Sequence, residues 1–242
     1  MPSLLKRVLR PALSLVEQRV ERTAASFQAD LDALHHQVAD LRRQQYALGP
    51  LLGERAPTPT QFDTLVREVR AVTGVGEEAA RRDVTAAYRT VVALEALGVG
   101  LMAEATSDVC GRLAVVPLLS PPGGEVLETG ARQGLFAAAL LRMLHRAGRE
   151  ARLTLVDPPA DAAVLRANLA LCGGSSEYRT TGRAGADDRR YGVVVAEGAA
   201  DLEWLEKLLE PGAVVILGEE PLPGHGLTVL GRVAGSVFLR AN

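Results

Sequence analysis

Apolar positions divide the chain into two regimes with different periods. In the first 55 residues Leu13, Val20, Phe27, Leu34 and Leu41 recur every seventh position, and Ala24, Leu31 and Val38 stand four places after Val20, Phe27 and Leu34. Spacing of this kind keeps one apolar seam along one side of an α-helix for about four heptads. Glu17 is the one poor residue in the seam, and His35 and His36 sit beside it on a face that reads as solvated. The seam predicts a helix that covers its stripe either against a second helix, as a coiled coil, or against the protein's own globular part. Gly49-Pro50 and Ala56-Pro57-Thr58-Pro59-Thr60 punctuate its end. Helical spacing then returns over residues 61–105. It predicts one helix over residues 63–72, a break at Gly74-Val75-Gly76, and a longer helix over residues 77–97 that carries Val84, Tyr88, Val91, Val92 and Glu95.

Beyond residue 120 the pattern changes to short apolar runs alternating with helical stretches, which predicts an α/β domain. Val126-Leu127 and residues 153–156 read as strands on either side of a helix. Residues 160–171 form the next predicted helix, stopped by Gly173-Gly174. Residues 177–181 read as a short third strand and residues 183–190 as a polar connection. The β-branched run at residues 191–196 suits a strand buried on both faces. After a helix over residues 201–209, a turn at Pro211-Gly212 and a strand over residues 213–217, the chain closes with an antiparallel pair, residues 227–233 and 236–240, around Ala234-Gly235.

Strand, glycine turn, helix, strand and acid follow one another between Gly124 and Asp157, the order of half a mononucleotide-binding βαβ unit. The turn reads Glu128-Thr129-Gly130-Ala131-Arg132-Gln133-Gly134. Its first glycine permits a tight turn and its second a close approach of helix or ligand. Asp157, at the tip of the second strand, is placed to accept hydrogen bonds from ribose hydroxyls. The spacing is E-x-G-x-x-x-G, not the G-x-G-x-x-G of a dinucleotide site, and there is no lysine for a P-loop. An acid before the first glycine disfavours a pyrophosphate and suits a cationic group.

The rest of the composition narrows the partners. Of 242 residues, 48 % are apolar, enough for a sizeable core, and the net charge of −2 gives no general attraction to nucleic acid or to an anionic membrane surface. Apolar runs break off before the length of a bilayer span, and the N-terminus shows no signal-peptide core with a cleavage site. Cys110 and Cys172 lack metal-ligand spacing and read as reduced, buried residues. A cytoplasmic location is the expectation.

On the glycine turn and the acid after the second strand, residues 91–240 resemble the class I S-adenosylmethionine (SAM)-dependent methyltransferases. They look closest to the small-molecule O-methyltransferase-like proteins of actinobacteria, which include metal-assisted sugar and natural-product enzymes. The resemblance implies a Rossmann-like class I methyltransferase sheet, seven strands with a late antiparallel hairpin, carrying an N-terminal helical or coiled-coil extension. The expected division is 1–55 for the extension, 56–120 for a helical cap and 121–242 for the SAM-binding domain. SAM offers a ribose, a sulfonium and an ammonium without a phosphate. Glu128, Gly130 and Gly134 would bind its methionine part and Asp157 its ribose.

Metal-dependent members of that branch end the fourth strand in an Asp-Gly-Asp-His-like run and the fifth in paired aspartates. Here the corresponding segments are Ala196-Glu197-Gly198-Ala199-Ala200 and Gly218-Glu219-Glu220. Glu197 and Glu219 stand where two of the acids would be, but the ligand count is thin, and a divalent metal is not expected. His225 lies in the loop after the fifth strand, where it is either a base for methyl transfer or a solvated loop residue. His145 sits within the first helix of the domain and reads as structural. Tyr88 and Arg89 line a substrate pocket or belong to core and surface. Two functions of different class follow. One is methylation of an oxygen or nitrogen on a small molecule of secondary metabolism. The other is a degenerate or repurposed relative acting as a partner subunit or in a reaction without methyl transfer. The expected partners are a small-molecule substrate and, through the seam, a second copy or a related subunit.

Overall fold

The structure is a computed structural model that describes residues 57–242 except 101, 103–105, 122, 158–160, 173–176, 197–201 and 219–225. The chain divides into two units, Met1–Ala47 and Leu48–Asn242. The heptad seam, with His35 and His36, falls outside the described residues, so the second unit alone is described.

Three helices precede the sheet. Helix α1 (Pro59–Thr73) begins inside the Pro-Thr-Pro-Thr segment for a clear local reason. Thr58 accepts from the Gln61 amide at 3.2 Å, Gln61 Oε1 accepts from the Thr58 amide at 2.8 Å, and Pro59 occupies the first helical position. It ends at Gly74, whose φ of +73° only glycine adopts without strain. Helix α2 (Glu77–Leu97) starts with Glu77 and Glu78 at the positive end of its dipole. Its Tyr88 is 1 % exposed and packs near Phe62, with ring centres 6.3 Å apart, so Tyr88 joins the core. Burial pushes its hydroxyl pKa well up. Helix α3 (Thr106–Leu119) buries nine of its residues and has almost no polar face. That accounts for its invisibility to an amphipathic pattern.

The α/β part follows in the order β1 (Glu125–Thr129), α4 (Leu135–Arg146), β2 (Arg152–Val156), α5 (Ala162–Leu169), β3 (Tyr178–Thr181), β4 (Tyr191–Ala196), α6 (Leu202–Glu206), β5 (Leu209–Leu217), β6 (Leu227–Val233) and β7 (Ser236–Ala241). The seven strands form one sheet in the order β3-β2-β1-β4-β5-β7-β6. Strands β1 to β5 are parallel, and β7 runs antiparallel to both β5 and β6. This is a Rossmann-like α/β sheet of seven strands with a late antiparallel hairpin, as expected.

Alternation along β4 feeds both layers. Val193 and Val195 pack with the core that includes α2, α3 and α4, while Val194 and Ala196 pack with Leu202 and Leu205 of α6. All six residues of β4 are buried. One sequence expectation needs correction: Pro211-Gly212 does not separate a helix from a strand but lies within β5. Pairing jumps from Tyr191–Leu209 to Val193–Val214, so the extra residues, with Gly212 at φ +76°, bulge out and the strand resumes. The helix before it is correspondingly short, Leu202–Glu206. Among the described residues no helix is long and apolar enough to cross a membrane.

Candidate functional site

The carboxyl ends of β1, β2, β3 and β4 form one edge, and the turn after β1 is its tightest feature. Gly130 and Gly134 have φ of +74° and +81°, and between them Arg132 stands at +44°. A non-glycine residue in this region carries strain of roughly 1 kcal/mol or more. The turn is closed by the Gly134 amide donating to the Ala131 carbonyl at 2.7 Å, and α4 starts with the Ala138 amide donating to the Gly134 carbonyl at 3.0 Å. A Cβ on Gly134 would collide with Leu165 Cδ1 of α5, so this glycine lets α4 and α5 pack closely.

Glu128, the acid at the base of the turn, is 3 % exposed. It faces a cleft of about 300 Å³ lined also by Gly130, Arg132, Phe136, Val195, Met102 and, from α3, Asp108 and Arg112. The cleft therefore holds two acids and two guanidinium groups. On its α3 side the charges are paired. Arg112 donates to Asp108 Oδ2 at 2.9 Å and to Ser236 Oγ at 2.6 Å, and the Ser236 hydroxyl donates to Asp108 Oδ1 at 2.6 Å. This network ties α3 to the start of β7. Ser236 is fully buried, so Ser236→Ala is expected to destabilise the fold by about 1–2 kcal/mol in urea unfolding, because Arg112 and Asp108 each lose a partner in a part-buried network.

Asp157 follows β2 and shares the same edge, since its neighbour Val156 pairs with Thr129 on one side and Thr181 on the other. Its φ is +51° and its amide donates to the Thr181 carbonyl at 3.0 Å. The carboxylate is solvent-exposed and lies 3.4 Å from Arg183 Nε. The Arg183 guanidinium sits 5.3 Å from the ring centre of Trp204, whose Nε1 donates to Asp187 at 2.9 Å. An exposed pair of this kind contributes about 0–1 kcal/mol and exchanges readily for a ligand contact.

Glu128, Gly130, Gly134 and Asp157 are thus on one edge of the sheet. Glu197, Glu219 and His225 lie outside the described residues. Among the described residues no three His, Cys, Asp or Glu side chains come together as a metal site. His145 is remote from that edge: it borders a separate cavity of about 480 Å³ beside Gly123, Arg149, Arg152 and Glu177, at the amino ends of the strands. Sequence reasoning does not find Asp108, Arg112, Arg183 or Ser236. The one available signal is Arg132, an arginine between two turn glycines.

No family model and no curated protein matches the sequence. Solved structures do match in part. YjhP from Escherichia coli is 20 % identical over 44 % of this chain, with a TM-score of 0.33, and the chain spans 43 % of its length. A methyltransferase from Podospora anserina, solved with S-adenosylhomocysteine (SAH) bound, is 10 % identical over 64 % of this chain and 87 % of its own, with a TM-score of 0.46. The carbon methyltransferase CurJ is 16 % identical over 83 % of this chain and 71 % of its own, with a TM-score of 0.38.

Proposed function

We propose that the protein binds SAM on the glycine turn and methylates a small molecule held between that turn and the cap. The observation that carries this reading is the charge arrangement on one sheet edge. A buried carboxylate, Glu128, and a guanidinium, Arg132, meet in one cleft, while a second carboxylate, Asp157, stands one residue beyond the strand paired to it. The donor set fits the ligand. Glu128 suits an ammonium, Arg132 suits a carboxylate, and Asp157 suits a ribose diol once it leaves Arg183. The buried Glu128 carboxylate at the base of the turn disfavours a pyrophosphate.

When bound, SAM supplies an electrophilic methyl on a good leaving group, so holding the acceptor in line can provide much of the rate. An acceptor oxygen or nitrogen forms the new bond to carbon as the carbon–sulfur bond breaks, and its proton passes to water or to a base. Arg112 and Asp108 form the opposite wall and orient the acceptor. The finer reading is O- or N-methylation in secondary metabolism, in the manner of the actinobacterial branch with reduced metal and catalytic motifs, in a dimer or heteromer joined through the heptad seam. The competing reading is a degenerate or repurposed relative, acting as a partner subunit or in a reaction without methyl transfer.

Asp157→Ala is expected to weaken SAH binding by about 1–3 kcal/mol, roughly 5- to 150-fold, because the diol loses a charged acceptor. The melting temperature should barely move, as the pair being lost is exposed. Unchanged SAH affinity in this variant would place the nucleoside elsewhere.

A further inference from the structure

Asn168 lies on α5, does not line the cleft, and is 1 % exposed. A buried side-chain amide must satisfy two donors and an acceptor. Asn168 Nδ2 donates to the Gln133 carbonyl at 2.8 Å and to the Val99 carbonyl at 2.9 Å, and Oδ1 accepts from the Val99 amide at 2.9 Å. Two carbonyls and one N–H leave a single consistent orientation for the amide. One side chain therefore joins α5 to the glycine turn, 35 residues away, and to the Gly98-Val99-Gly100 strap, 69 residues away.

The strap rests directly on the turn. A Cβ on Gly98 would lie 2.5 Å from Leu135 Cδ2 and 2.8 Å from Asn168 Oδ1, and a Cβ on Gly100 would collide with the side chain of Gln133. Just beyond, the Met102 amide donates to Glu95 Oε1 at 3.0 Å, and Met102 reaches the cleft wall. The strap has little apolar anchorage of its own, since Leu97 is 70 % and Val99 54 % exposed. What fixes it is polar: the Gly98 amide donates to the Leu94 carbonyl at 2.8 Å, and both backbone groups of Val99 are held by Asn168.

We infer that Asn168 is a positioning residue that sets the glycine turn and couples it to the strap, so that a ligand on the turn also steadies the strap. The ligand part of this inference rests on the reading of the turn as a SAM site. Aspartate in the same place would accept from the Val99 amide but set a carboxylate against the Val99 and Gln133 carbonyls. Leucine would fill the volume and make none of the three bonds.

The test is residue-resolved amide hydrogen exchange on the full chain, with and without SAH, for the wild type, Asn168→Asp and Asn168→Leu. Without ligand, exchange at both Val99 and Gly134 should rise about tenfold or more in either variant, while amides of the central strands β4 and β5 keep their rates. In the wild type, SAH should slow exchange at Val99. In the variants SAH affinity should fall about tenfold and the response at Val99 should disappear. Acceleration at Val99 alone, with Gly134 and SAH affinity unchanged, would overturn the inference. So would an equal acceleration throughout β4 and β5, which is what a merely stabilising residue gives. If the wild type does not bind SAH, the nucleoside reading fails, and exchange at Gly134 still decides whether Asn168 positions the turn.

Discussion

Glu128→Gln is expected to weaken SAH binding about 10- to 100-fold and to leave 5′-methylthioadenosine binding unchanged. The two ligands share adenine, ribose and sulfur, and only SAH carries the amino-acid end. Glu128 is buried at the base of the turn, so its hydrogen bond to an ammonium would be charge-assisted and poorly screened, worth about 1.5–3 kcal/mol. Glutamine keeps the shape and one acceptor but removes the charge. A parallel loss for both ligands would mean that Glu128 supports the fold of the turn without contacting the amino acid. Calorimetric titrations of the two ligands against wild type and variant separate these outcomes.

Gly134→Ala is expected to lower the unfolding free energy by roughly 2–4 kcal/mol, the largest stability effect among single changes at the site. About 1 kcal/mol or more arises from placing a Cβ at φ +81°, and a further 1–3 kcal/mol from overpacking against Leu165 Cδ1. Gly74→Ala is the internal control. Gly74 has nearly the same φ, +73°, but a Cβ there would meet nothing within 4 Å, so it should show the conformational part alone, roughly 1–2 kcal/mol. Urea unfolding of both variants measures the difference. Equal losses would show that α5 moves aside without cost.

What is legible in the sequence is what local pattern controls. The β-branched run of β4, the glycines flanking α4 and the acid after β2 all owe their places to neighbours in the chain. The class I sheet order, by contrast, comes from the resemblance and stands in the structure as β3-β2-β1-β4-β5-β7-β6. Helix α3 escapes the pattern because it is buried nearly all round and presents no polar stripe to give a period. The turn in β5 is misplaced because a glycine that ends a strand and one that bulges it carry the same local signal. The polar residues around the cleft are hidden for another reason. Ser236 meets Asp108 across 128 residues, Arg183 meets Asp157 across 26, and Asn168 meets Val99 across 69. Each is an ordinary surface residue type until the fold brings its partner to it. Glu197, Glu219, His225 and the seam lie outside the described residues, and the roles read for them remain proposals.

The edge holding Glu128, Gly130, Gly134 and Asp157 is expected to take up SAM. A calorimetric titration of SAH into the full-length wild-type protein tests this most directly. Binding is expected at one site per chain with a dissociation constant on the order of micromolar, about 8 kcal/mol. No heat at protein concentrations well above that range, with equilibrium dialysis confirming that no SAH is retained, would contradict it.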